Sequence, residues 1–149
     1  MSEARLRATQ LPQVKSKIYD LDFDILKWYT QVVSNQATEI QLQALANQKN
    51  IAGLLVLSKF YLMQGDYAQA QSNLDLVKVK LKSHILVPLI QTDIYLGQNK
   101  FDQAYDSISS LQKTMPENRA LSYKLVEVLI RQGKIDQAQT LVQRFIRKN

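Results

Sequence analysis

The stretch YLMQGDYAQAQSNL, Tyr61–Leu74, closes an apolar run on a glycine and then resumes with alanines. Related wording returns as YLGQNKFDQAYDSI from Tyr95 and as LIRQGKIDQAQTLV from Leu129. Gly65, Asn99 and Gly133 hold the matching position, at two equal separations of 34 residues. Gly and Asn accept a left-handed backbone where a helix ends, so each phrase reads as helix, turn, helix. After the turn comes a large apolar residue (Tyr67, Phe101, Ile135), and three positions on an alanine (Ala70, Ala104, Ala138). The alanine lets two helices approach closely, while the larger residue fills the space beside the turn. Leu74, Ile108 and Val142, then Val77, Leu111 and Phe145, continue the inner stripe of the second helix at steps of four and three.

The 34-residue period resembles the tetratricopeptide repeat, a pair of antiparallel helices of that length. The resemblance implies an all-α fold, a right-handed superhelical stack of antiparallel helix hairpins. The units are framed as 51–84, 85–118 and 119–149. Pro116 stands where such units often carry a proline. The first helix keeps less of the family pattern. Leu54, Pro88 and Ser122 hold its aromatic column, and Ser58, Thr92 and Val126 its glycine column.

Upstream, residues 1–16 read as a helical linker, with Ser2 as cap and Pro12 ending the helix. Residues 17–50 read as a degenerate hairpin. Ile18, Leu21, Ile25, Trp28, Tyr29 and Val32 recur at helical spacing, "SNQ" at Ser34–Gln36 breaks the pattern, and Ile40, Leu42, Leu45 and Ala46 mark a second helix.

At 149 residues, with 46% hydrophobic and 21% charged, the chain has the size and composition of one globular domain. Four glycines and three prolines are too few for a turn-rich β fold. The formal charge of +6 permits an acidic partner, but the cations are scattered. Lys78, Lys80 and Lys82 read as the solvated edge of a helix, and Arg144, Arg147 and Lys148 form the other dense group. No cysteine is present, which excludes disulfides, thiolate chemistry and cysteine-ligated zinc within the chain. No apolar run is long enough to span a membrane, and the opening MSEARLRATQ lacks the apolar segment of a signal peptide. Either a cytoplasmic protein or a piece of a longer chain is expected.

No catalytic constellation emerges. His84 is the only histidine, so neither a two-histidine zinc site nor HExxH exists in this chain. Asp20, Asp22 and Asp24 lack the glycine and distal glutamate of a calcium loop and read as a solvated helix start. No cofactor is expected. What remains is a surface. By spacing, the groove lined by the first helices would present Leu55, Lys59, Leu62, Leu89, Asp93, Tyr123, Lys124, Glu127 and Arg131 to a protein or peptide partner. Leu55 and Leu89 stand where chaperone-binding repeats would want Lys or Asn, so a carboxylate-gripping site is not reproduced. Gln69, Gln71, Gln103, Gln137 and Gln139 read as a solvated outer face.

Two passages carry a further likeness. SEARLRATQLP (Ser2–Pro12) and TDIYLGQNKFDQAYDSI (Thr92–Ile108) resemble the C-terminal repeat region of bacterial periplasmic zinc metalloproteases of the β-barrel assembly-enhancing type. That resemblance implies a non-catalytic fragment of a zinc protease, located in the periplasm. It would recruit partners or substrates, dock on its own protease domain, or meet the outer-membrane assembly machinery. The zinc would belong to the protease domain, whose residues lie outside this chain. The competing readings are a free-standing cytoplasmic adaptor and a basic helical-repeat protein that binds nucleic acid. No nucleic-acid partner and no membrane span are expected.

Overall fold

The structure is a computed structural model that describes residues 25–36, 38–47, 50–81 and 83–148. The expected linker 1–16, the start of the 17–50 hairpin and the Asp20–Asp24 run lie outside these residues. Every element among the described residues is an α-helix. The helices are α1 (residues 25–33), α2 (Glu39–Asn47), α3 (Ile51–Met63), α4 (Tyr67–Lys78), α5 (Leu86–Gly97), α6 (Phe101–Thr114), α7 (Arg119–Arg131) and α8 (Ile135–Lys148). They pair as hairpins and stack.

Three hairpins turn in the same way. Gly65, Asn99 and Gly133 have φ of 78°, 60° and 76°. In each turn the next residue's amide reaches five residues back, from Asp66 to Tyr61 (2.9 Å), Lys100 to Tyr95 (2.8 Å) and Lys134 to Leu129 (2.8 Å). The left-handed residue's own amide donates three residues back, to Leu62, Leu96 and Ile130. Together the two bonds satisfy carbonyls that a helix end leaves open. Between α1 and α2, Asn35 has φ 59° and the same pair of bonds, to Val32 and Gln31. The first hairpin thus shares the turn chemistry of the repeats although its spacing differs.

The starts of the first helices also repeat. Asn50 Oδ1 accepts the Gly53 amide at 3.3 Å, and Asn118 Oδ1 accepts that of Leu121 at 3.1 Å. The equivalent position between them is His84, whose Nδ1 accepts the Leu86 amide at 3.2 Å. The lone histidine therefore does the work of a capping side chain. Pro88 sits in the first turn of α5, where a missing amide leaves no helical bond unmade.

Packing inside the hairpins follows the alanine column. Ala70 and Ala104 are fully buried and Ala138 is 3% exposed. Opposite them, Ser58 Oγ donates to the Ala70 carbonyl at 2.8 Å. Thr92 Oγ1 lies 2.7 Å from Ser107 Oγ, which donates to the Ala104 carbonyl. In the last hairpin Val126 replaces this polar link with apolar contact in the cluster around Leu121 and Leu141. The inner stripe needs one correction. Leu74 and Ile108 are fully buried, but Val142 is 38% exposed, because no further hairpin covers it among the described residues. Leu141 is buried in that helix instead.

Between units, the first helices touch one another, α3 against α5 and α5 against α7. Among the described residues no second helix touches another. The stack is closed on the first-helix side and splayed on the other. Residues Ile25, Leu55, Leu74, Ile90 and Ile94 join α1, α3, α4 and α5 into one core. Tyr61 ties α3 to α2, donating to Glu39 Oε1 at 2.8 Å and accepting from Gln43 at 3.1 Å.

Two substitutions test this packing. Ala104→Leu places extra methylenes in a fully buried contact and should lower stability by about 1–3 kcal/mol. Gly97→Ala would set a Cβ against the Tyr67 ring, which must shift to admit it. Chemical denaturation should show a loss in both variants and none in Gln103→Ala, whose side chain is exposed.

Candidate functional site

The first-helix face holds a row of charges. Lys59, Asp93 and Glu127 occupy one column of α3, α5 and α7, spaced by 34 residues. Lys124 Nζ donates to Asp93 Oδ1 at 2.6 Å and to Glu127 Oε2 at 2.8 Å, and Lys59 Nζ lies 3.8 Å from Asp93 Oδ2. Lys59 also stands 5.7 Å over the Tyr29 ring. Asp93 therefore faces two ammonium groups. Burial pulls the Lys124 pKa down, but hydrogen bonds to Asp93 and Glu127 and their charges outweigh it, holding Lys124 above the ordinary lysine value. The row's charges compensate one another.

Of the nine expected groove residues, the structure brings these four together. Arg131 lies beyond the row, its guanidinium 5.2 Å over the Phe101 ring and donating to Asn99 Oδ1 at 3.5 Å. Leu55 is fully buried in the core that contains Ile25, because the preceding hairpin covers its column. It has no surface to offer a partner. Leu62 and Leu89 are partly buried against the cores. Tyr123, 62% exposed, turns away from the charged row and meets Phe145 of α8 edge to face at 6.1 Å. The column of Leu55, Leu89 and Tyr123 thus points away from the row, the two leucines into packed hairpins and Tyr123 into the gap beside α8.

The expected outer face differs at one point. Gln71 is half-buried and exchanges hydrogen bonds with the buried Gln91 at 2.7 and 3.0 Å. Lys78 joins this pair through Gln91 Oε1 and lies 3.6 Å from Asp75. It is an engaged side chain rather than a solvated edge. Among the described residues no helix is long and apolar enough to cross a membrane. Nor does any group of three or more His, Cys, Asp or Glu among them come together as metal ligands would.

Comparison with known sequences adds one finding. Residues 95–149 match the tetratricopeptide repeat family. That span carries the repeat. It covers α6, α7, α8 and the end of α5, with two of the left-handed turns. No curated protein and no solved structure matches the chain. Repeats of this family are typically non-catalytic and bind proteins.

The charged column is legible in the sequence, but its internal pairing is not. The signal for the pairing is the opposite signs of Lys59 and Asp93 one repeat apart, which stacking brings into register. Asp93→Asn leaves two ammonium groups without their shared carboxylate and should cost about 1–2 kcal/mol at neutral pH. The pH dependence follows from Lys124. Its folded-state pKa exceeds that of the unfolded chain, so its stabilisation is complete below about pH 10.4 and is lost as pH rises through the folded value. Thermal melts should show that alkaline loss in the parent chain and a smaller one in Asp93→Asn.

Proposed function

We propose that this chain is a non-catalytic protein-interaction segment, a scaffold whose hairpin stack holds a partner protein. The observation that carries the reading is the repeat match over residues 95–149, set on a stack whose first helices form a continuous face. A solenoid of this kind offers one extended surface, and surface rather than chemistry is what its residues supply. Within that face the exposed Glu127, at the end of the internally paired row, and the exposed Arg131 beside it are the charges open to a partner.

In its finer form the reading is that the segment is the C-terminal part of a periplasmic zinc metalloprotease. It would there recruit substrates or envelope assembly proteins, or dock on the protease domain. What supports it is the similarity of Ser2–Pro12 and Thr92–Ile108 to that group. An HExxH motif upstream in the same reading frame would be expected. A frame that holds none favours the cytoplasmic adaptor.

The test of the broader reading is titration of the purified chain against proteins that co-purify with it. Glu127→Ala and Arg131→Ala should weaken a complex seated on the first-helix face by about 1–3 kcal/mol, and Gln103→Ala on the opposite side should leave it unchanged. A complex weakened by Gln103→Ala alone would reverse the assignment of the face.

A further inference from the structure

The splay between second helices opens a groove in each inter-unit gap, and the two grooves are not alike. Between α4 and α6 the groove is lined by Lys78, Val87, Pro88, Gln91, Ser107 and Leu111. One repeat on, between α6 and α8, a pocket of about 290 Å³ is lined by the equivalents of several of these residues. Position by position, Leu89 gives way to Tyr123, Val79 to Lys113, Ser110 to Arg144 and Leu111 to Phe145. These four changes add two cations and two aromatic rings, while Lys78 of the earlier groove gives way to Gln112. The repeat scaffold alone does not require them, since the earlier gap packs without them.

The pocket has a floor and a rim of different chemistry. Tyr123 and Phe145 meet edge to face, and Leu141 and Pro116 complete an apolar lining. Lys113, Arg119 and Arg144 bring three positive charges to it, against the one carboxylate of Glu117. Glu117 and Arg119 already have interactions within the chain. The side chains of Lys113 and Arg144 form none of the ion pairs among the described residues. This contrasts with the first-helix face, where Lys59 and Lys124 are occupied by Asp93 and Glu127. The cations able to meet an external anion at a built pocket therefore lie on the splayed side.

We propose that this pocket binds an acidic peptide segment carrying one large apolar side chain, which enters between Tyr123, Phe145 and Leu141 while its flanking carboxylates meet Lys113 and Arg144. The inference rests on the protein-binding reading and gives it a second, chemically defined surface. The volume favours a peptide anchor, because it lies at the lower edge of the range for small-molecule sites and is ample for one large side chain. Anchor-plus-rim is also how hot spots are built, with an aromatic centre and polar surroundings. A nucleic acid would need a track of cations along the backbone, and here they converge on a single pocket with a carboxylate among them.

The probe is a fluorescein-labelled peptide of Asp and Glu around one Phe, followed by anisotropy with the full chain. Saturable binding is expected, reduced about tenfold or more by Arg144→Glu, by Tyr123→Ala and by replacing the peptide's Phe with Ala. Arg144→Lys should retain most of it. Lys80→Glu makes the same charge change at an exposed position outside the pocket's lining and should have little effect. Melting curves accompany each variant, and Arg144→Glu, at an exposed site, should melt like the parent. The proposal is overturned if no peptide binds, if Lys80→Glu weakens binding as much as Arg144→Glu, or if the Phe is dispensable. Displacement of the peptide by a single-stranded oligonucleotide at lower concentration would assign the pocket to nucleic acid instead. A parent chain that fails to bind the peptide, with the co-purified partner held equally by the parent and by Arg144→Glu, would sink this pocket and leave the broader reading standing.

Discussion

A helix that reverses direction within three residues must leave its last carbonyls satisfied and its partner helix close, and one left-handed residue does both. At Gly65, Asn99 and Gly133, and again at Asn35, the positive φ points two consecutive amides back into the finished helix. The emerging chain then runs antiparallel at a distance that only a small side chain tolerates. The alanine column and the hydroxyl groups of Ser58 and Thr92 are consequences of that distance, not independent features. Once each hairpin has the same geometry, stacking follows, because every hairpin presents an apolar face to the next.

Stacking of identical shapes does not mean identical surfaces. The first helices touch along the stack, so their side chains are forced into cross-repeat pairs, and the Lys59, Asp93 and Glu127 column becomes an ion row that includes Lys124. The second helices stand apart, so their side chains answer to fewer neighbours and can vary from gap to gap. Gln71, Gln91 and Lys78 fill one gap with a polar network, whereas Tyr123, Phe145, Lys113 and Arg144 edge the other. Constraint on one side and freedom on the other divide the surface into a structural face and an adaptable one.

The turns and the alanine column are legible in the sequence because they depend on single residues with unusual conformational demands. Asn35 does not stand out as a turn of the same kind, since it lies 30 residues before Gly65 and no alanine phrase follows it. The groove is partly illegible for a different reason. Spacing alone places Leu55 on a helix face, but whether that face is open depends on the hairpin before it, which the 34-residue period does not reach. Val142 shows the converse, an inner-stripe residue whose burial depends on a neighbour that comes after. His84 looks isolated until the helix starts at Asn50 and Asn118 are aligned with it.

The exposure of the last hairpin's stripe has a consequence for how the molecule breathes. Leu74 and Ile108 are held from both sides, while Val142, Ile130 and Ile146 are covered from one side at most, at 38%, 51% and 70% exposure. In a linear array coupled only through nearest neighbours, a unit packed on one side opens by breaking one interface and a unit packed on both sides by breaking two. Among the described hairpins, α7 and α8 pack on one neighbour and α5 and α6 on two, so within this stack opening of α8 breaks fewer contacts than opening of α6. Within the described residues the backbone amides of the hairpins packed on both sides exchange slowest with solvent, and the pocket lies between one of these hairpins and a hairpin packed on one side.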